Sequence, residues 1–250
     1  MQTLKSNAIC VRHWDFSETS QTVSLFTREL GLVRGLAKGA RRERGSFSGG
    51  IDLLTRGEVV ALLKPGRDLA TLTAWDLQEV FWSLRRRLAA NQAGLYMADL
   101  VNHFLSQHDP HPALFDALVD ALRALEDPTV PTDAVLLRFQ WDLLHESGYL
   151  PELAHDADTG AALPTDAPTL AFSPGAGGLV ADTGSGDRWR IRRETVDMLR
   201  ALAADPASRP VDVDAGVTVE RASRLLAWYL REILGDELPT MRLVFRTPSG

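Results

Sequence analysis

The hydrophobic period of this chain changes once, near residue 80, and that change sets what it can fold into. Between residues 6 and 75, short apolar runs recur at Ala8–Val11, Thr22–Thr27, Gly31–Ala37, Glu58–Leu63 and Leu69–Trp75. The clearest of them alternate polar and apolar side chains. Alternation places successive side chains on opposite faces of a strand, and turn residues such as Lys64-Pro65-Gly66 separate the runs. Five short strands predict a small barrel or sandwich, and an OB-fold and an SH3-like barrel both satisfy the count. From Trp82 the period becomes 3.6. Leu84 to Leu105, with a break near Asn91, Pro112 to Leu125, and Thr132 to Gly148 predict three or four amphipathic helices in a bundle, with Thr132 as an N-cap. Residues 149–192 are rich in Asp, Thr, Gly and Pro and predict a loop-rich subdomain. Helical pattern resumes at 194–203 and 220–234, and Met241–Phe245 predicts a short strand or extended segment. The expected class is α+β, with a barrel over 1–79 and a helical domain over 80–250 that contains the loop-rich part.

Charge is distributed unevenly over that plan. The chain carries a formal net charge of -6, yet Arg34–Gly45 holds five basic residues, Arg34, Lys38, Arg41, Arg42 and Arg44, against the single acid Glu43. Its first half reads as a strand and its second half as a flexible basic loop. Attraction to phosphate is set by the local field within a Debye length of about 8–10 Å, so an acidic total charge does not oppose binding here. A basic turn between barrel strands can track a phosphate backbone, as OB-folds do with their loops and one sheet face. On spacing alone, a solvated turn explains these charges equally well. Trp14, Phe16, Phe26, Phe47 and Trp75 are the aromatics from which a base-stacking surface would be drawn, Phe26 fitting the core better.

Other chemistry is poorly supported. The P-loop pattern is missing, and Ser173–Gly178 is glycine-rich but lacks its lysine. Gly45-Ser46-Phe47-Ser48-Gly49 sets Phe where a nucleophile elbow needs Ser. Cys10 is the single cysteine, which excludes an internal disulfide and any multi-cysteine zinc site. His103, His108 and His111 match no ligand spacing. Asp156–Gly160 begins like a calcium loop, but Ala167 falls where the bidentate carboxylate belongs. No apolar run is long enough to span a membrane, and Met1–Asn7 lacks a signal-peptide core. A cytoplasmic protein with no evident catalytic constellation is the expectation.

The order of several short motifs resembles one family. Ser17-Glu18-Thr19-Ser20, Leu25-Phe26-Thr27, Gly31, Leu36 to Arg42, Phe47-Ser48-Gly49 and Leu69 to Leu72 resemble the N-terminal part of the bacterial RecO family of DNA-repair proteins. The resemblance continues at Leu136 to Phe139, Gly148-Tyr149, Phe172 to Pro174, Gly177 to Leu179 and Leu238 to Arg242. It implies an N-terminal OB-fold, a helical domain and, in many members, a zinc module. It also implies a recombination mediator that binds single- and double-stranded DNA and anneals complementary strands. With RecR, such a protein helps RecA replace single-strand-binding protein (SSB). Carried over, the DNA contact falls on Arg34, Lys38, Arg41, Arg42 and Arg44. A groove for the SSB C-terminal tail falls on Leu136, Arg138 and Phe139. Where relatives hold zinc with two C-x-x-C pairs, this chain has Asp156 and Thr159, then Ala181 and Gly184. No cofactor is therefore expected, and the subdomain should hold itself by packing and turn hydrogen bonds around Phe172 and Trp189. The competing reading is a protein-interaction adaptor with an OB-like barrel and incidental DNA contact.

Overall fold

In the N-terminal region β1 (Gln2–Asp15), β2 (Gln21–Thr27), β3 (Gly31–Ala37), β4 (Thr55–Leu63) and β5 (Ala70–Val80) close a barrel in the order β1-β2-β3-β5-β4. The structure, a computed structural model, describes residues 2–42, 45–47, 49–64, 66, 69–204 and 216–245. β3 and β5 pair in parallel from Gly35–Ala70 to Ala37–Leu72, while the other neighbours are antiparallel. A parallel contact within a five-stranded antiparallel barrel requires a Greek-key return, which is the OB-fold arrangement. That distinguishes it from the SH3-like alternative.

The barrel closes because β1 is 14 residues long and serves two partners. Gln2–Ile9 pairs with β4, and Ala8–Asp15 pairs with β2. Val23, Leu25, Val33, Val59, Leu72 and Trp75 fill the interior, and Ala40, Phe47 and Ile51 of the β3–β4 connection join the same core. β4 shows the expected alternation, with Val59 and Ala61 buried and Glu58 and Val60 half-exposed. Gly35 faces the core where a Cβ would lie 2.6 Å from the Leu72 side chain. The β2–β3 turn needs Gly31, whose φ is +67° and whose missing Cβ would fall 2.0 Å from the Asp109 carbonyl oxygen.

α1 (Trp82–Arg86), α2 (Leu88–Phe104) and α3 (Pro112–Ala124) follow. The helical break falls at Arg87, four residues before the position expected from the sequence, where the backbone turns extended. These helices belong with the barrel: one compact unit comprises residues 1–127 and 238–250, and the second comprises 128–237. The barrel itself ends with β5 at Val80, as the change of period predicts. Phe26, on the outer face of β2, meets Phe115 of α3 with ring centroids 5.6 Å apart. Arg28 donates two hydrogen bonds to Asp116, and Glu79 receives Arg123 and Arg56 together.

In the second unit, α4 (Thr132–Glu146) begins after Pro131, so Thr132 is the first helical residue and not the N-cap. Residues 149–192 include a three-stranded sheet of β6 (Thr169–Ser173), β7 (Gly178–Val180) and β8 (Trp189–Arg192), in the order β7-β6-β8. Phe172 and Trp189 pair across β6 and β8 and stack at 5.8 Å, and Phe172 turns its edge to Tyr229 of a later helix. α5 (Arg193–Ala204) and α6 (Gly216–Leu234) complete the unit, with a buried hydrogen bond from Ser223 of α6 to Gln140 of α4. The chain then returns to the first unit as α7 (Met241–Val244), a helical turn where the sequence suggests a strand. Five residues are too few to show a period, and here Phe245 packs edge-on against Tyr96.

The turn at Gly31 supplies a stability test. Gly31→Ala adds left-handed strain and a backbone collision, and should lower unfolding free energy by about 2–4 kcal/mol in denaturant titration. Gly175→Ala, where a Cβ meets nothing within 4 Å, should stay within about 0.5 kcal/mol.

Candidate nucleic-acid interface

Arg12 and Arg34 share one outer face of the barrel, and a β-bulge puts Arg12 there. Ala8 and Cys10 of β1 point into the core. Simple alternation would send Arg12 and Trp14 after them. The register shifts between Cys10 and Arg12, so that Cys10 pairs with core-facing Leu25 while Arg12 pairs with Ser24. The extra residue, Val11, turns Arg12 and Trp14 outward. Ser24 in turn pairs with Arg34 of β3, so Arg12, Ser24 and Arg34 form one row across three strands. The next row is Trp14, Thr22 and Leu36. The Arg12 guanidinium lies over the Trp14 ring, 4.9 Å from its centroid. Ser24 is 1% exposed and its hydroxyl has no hydrogen-bond partner.

Lys38 continues the outward alternation of β3 and is exposed, in line with Arg34. The chain then reverses at Gly39. The backbone there is tied down, which differs from the loose loop expected. The Gly39 N–H donates to Ser20 Oγ at 3.2 Å, the Arg41 N–H to the Thr19 carbonyl at 3.1 Å, and Ala40 is buried in the barrel core. The segment therefore lies beside the β1–β2 turn. Arg41 and Arg42 are both exposed, and the Arg41 guanidinium is ion-paired with Asp15. Among the described residues, no ion pair or hydrogen bond engages the side chains of Arg34, Lys38 or Arg42. Arg44 lies outside the described residues. Of the five aromatics singled out, Phe26, Phe47 and Trp75 are core, at 0%, 5% and 3% exposure, whereas Trp14 and Phe16 stand out at 41% and 64%. Arg12 is the member that sequence reasoning misses, because only the bulge and the register reveal its face. Burial pushes the Cys10 thiol up to about 12, which leaves it an inert core group.

The family model for the N-terminal part of recombination protein O matches residues 1–81, and that for its C-terminal part matches residues 85–242. The chain belongs to the RecO family. It is 33% identical to the DNA repair protein RecO of Rhodopirellula baltica over 211 residues, which cover 83% of this chain and 78% of the relative. It is 30% identical to that of Syntrophotalea carbinolica over 253 residues, covering 100% of this chain and 97% of the relative. The RecO of Anaeromyxobacter dehalogenans is 30% identical over 98% of this chain and 96% of its own length.

The tail groove transferred from the RecO family does not form from the residues chosen for it. Leu136 and Phe139 are 0% and 1% exposed, so they offer no apolar surface to a peptide. Arg138 is held through two hydrogen bonds, at 2.8 and 2.9 Å, by Asp142 one turn later. Buried apolar positions and groove positions carry the same residue types, and only burial separates them. Among the described residues no helix is long and apolar enough to cross a membrane.

The positions at which the resemblance implies a zinc module do not fit that ion here. Asp156, Thr159, Ala181 and Gly184 bring no thiolate and no imidazole, and the one carboxylate is already engaged. Asp156 Oδ1 accepts from the Asp158 N–H at 3.0 Å and from both the N–H and the hydroxyl of Thr159 at 2.9 Å. Its Oδ2 accepts from the Ala181 N–H, so one side chain joins the two turns. Asp156 is 5% exposed, and these donors, Ala181 foremost, hold its carboxyl below the usual range. A carboxyl lowered by folding contributes fully above its unfolded value of about 3.9 and loses that contribution as pH falls through the lower native value. Amide exchange at Ala181 and Thr159 should therefore stay slow from neutral pH to below the ordinary carboxylate range. Asp156→Ala should release both amides together at neutral pH.

Proposed function

We propose that this chain is a non-enzymatic DNA-repair mediator that binds single- and double-stranded DNA and anneals complementary strands. In this reading it cooperates with RecR to load RecA onto DNA coated with SSB, and the SSB C-terminal tail is one of its partners. The single observation that carries the reading is the set of exposed cations Arg34, Lys38 and Arg42, without an ion pair among the described residues, in an acidic protein. Several cations elsewhere in the same unit are matched: Arg28 by Asp116, Arg56 and Arg123 by Glu79, and Arg85 by Asp52. Cations clustered and left open on one face attract a polyanion there. Membership of the RecO family, whose members named above are DNA repair proteins, supports the same reading.

The mechanism is electrostatic. Lysine and arginine side chains bind phosphate oxygens without regard to sequence and release condensed counterions as they do so. Two strands held on one cationic face repel each other less, so complementary bases meet more often. Sequence selection then comes from base pairing and not from the protein. The chain needs no nucleophile, metal or cofactor for this, and one zinc per chain in elemental analysis would overturn the cofactor-free part of the reading.

Salt-titrated binding to short single strands tests the site. Arg34→Glu combined with Arg42→Glu should weaken binding at least about 10-fold at low salt for all sequences alike and flatten the salt dependence by about 1–2 in log–log slope. Asp15→Asn, which releases Arg41, should act the opposite way, strengthening binding and steepening the slope. The annealing reaction with oligonucleotides coated with cognate SSB should slow with the first variant. Unchanged affinity and slope in both variants would instead favour the protein-adaptor reading, in which the barrel face meets a protein.

A further inference from the structure

Trp14 and Phe16 are exposed aromatic rings at the edge of the cationic face, and the ion pairing of that face does not account for them. They follow Arg12 at every second position, so the three lie along one edge of β1 and into the β1–β2 turn. The turn is ordered by its own backbone: the Phe16 N–H donates to the Ser20 carbonyl at 2.9 Å. Ser20 also receives the Gly39 N–H, and Thr19 receives that of Arg41, so the aromatic turn and the basic segment are stitched side by side. Asp15, between them in sequence, is ion-paired with Arg41. Exposing both rings costs apolar hydration that burial would have recovered, and the Val11 bulge keeps Trp14 outside the core.

We propose that Trp14 and Phe16 form a stacking shelf for unpaired nucleobases, with the neighbouring cations on the phosphates of the same strand. This rests on the DNA-binding reading above and assigns it a discrimination that cations alone lack. Phosphates are common to single strands and duplexes, but the faces of bases are free only in a single strand. Stacking on an aromatic ring is indifferent to base identity because every base has a π-face. Arg12, already over the Trp14 ring at 4.9 Å, stiffens the shelf and adds a cation beside it. The shelf thus favours single strands before annealing and loses its hold once their bases pair, leaving the duplex to the cations.

The test compares a homothymidine strand with an abasic strand of equal length, which has the same phosphates and no bases. The wild-type chain should bind the homothymidine strand more tightly. Trp14→Ala and Phe16→Ala should each weaken homothymidine binding by about 5- to 150-fold, while affinity for the abasic strand and both salt slopes stay unchanged. Trp14→Phe should retain most of the affinity. Both rings are exposed, so loss of fold does not mimic the result, and circular dichroism checks it. Equal weakening toward both strands, or no change toward either, overturns the shelf. Wild-type binding that is salt-dependent but equal for the two strands overturns the shelf and leaves the DNA-binding reading standing. Wild-type binding to neither strand removes both.

Discussion

One extra residue in β1 decides which way the N-terminal part of this protein faces. Without the bulge at Val11, the alternation that buries Ala8 and Cys10 would carry a guanidinium and an indole into a barrel filled by Val23, Leu25 and Trp75. Burial of an unpaired charge there would cost far more than the barrel could recover. With the bulge, the first half of β1 still closes the barrel against β4 while the second half displays Arg12 and Trp14 beside Arg34. Closure and display are thus both carried by one strand, and the register shift separates them.

Electrostatic matching does the rest of the selection. The first unit contains many cations, and Lys5, Arg28, Arg41, Arg56, Arg85 and Arg123 are each answered by a carboxylate. Glu79 takes two guanidiniums at once, and Arg123 and Arg56 hold its carboxyl below the usual range. Such pairs cancel their own fields at a distance comparable to the Debye length. What remains visible to a polyanion is the residue of this cancellation, which includes the outer face of β3 and the turn that follows. Asp15 trims that residue further by occupying Arg41.

Much of this is legible in the sequence, and the exceptions have identifiable causes. β2 matches its apolar run because both its faces are largely covered, and β3 because its inward face and Leu32 are buried. β1 was visible only at Ala8–Val11, since its first half, with Lys5 exposed and Ser6 buried, owes its strand form to pairing with β4. Arg34 and Lys38 could be placed on one face by counting in twos, whereas Arg12 could not, because a bulge breaks the count. Leu136 and Phe139 have the residue types of a groove and the positions of a core. The stack of Phe172 on Trp189 could be anticipated, for a lobe with few apolar residues needs some anchor and these are large aromatics within it.

The knot around Asp156 has a chemical consequence. A thiolate cluster that gathers two turns around an ion stays assembled only while its sulfurs are reduced and the ion is supplied. Here the turns are gathered by a carboxylate and backbone amides, groups that peroxide and chelators leave alone. The chain's one sulfhydryl, Cys10, is sealed in the barrel with its thiol far from ionisation. The link between these two turns therefore rests on hydrogen bonds and not on thiol chemistry.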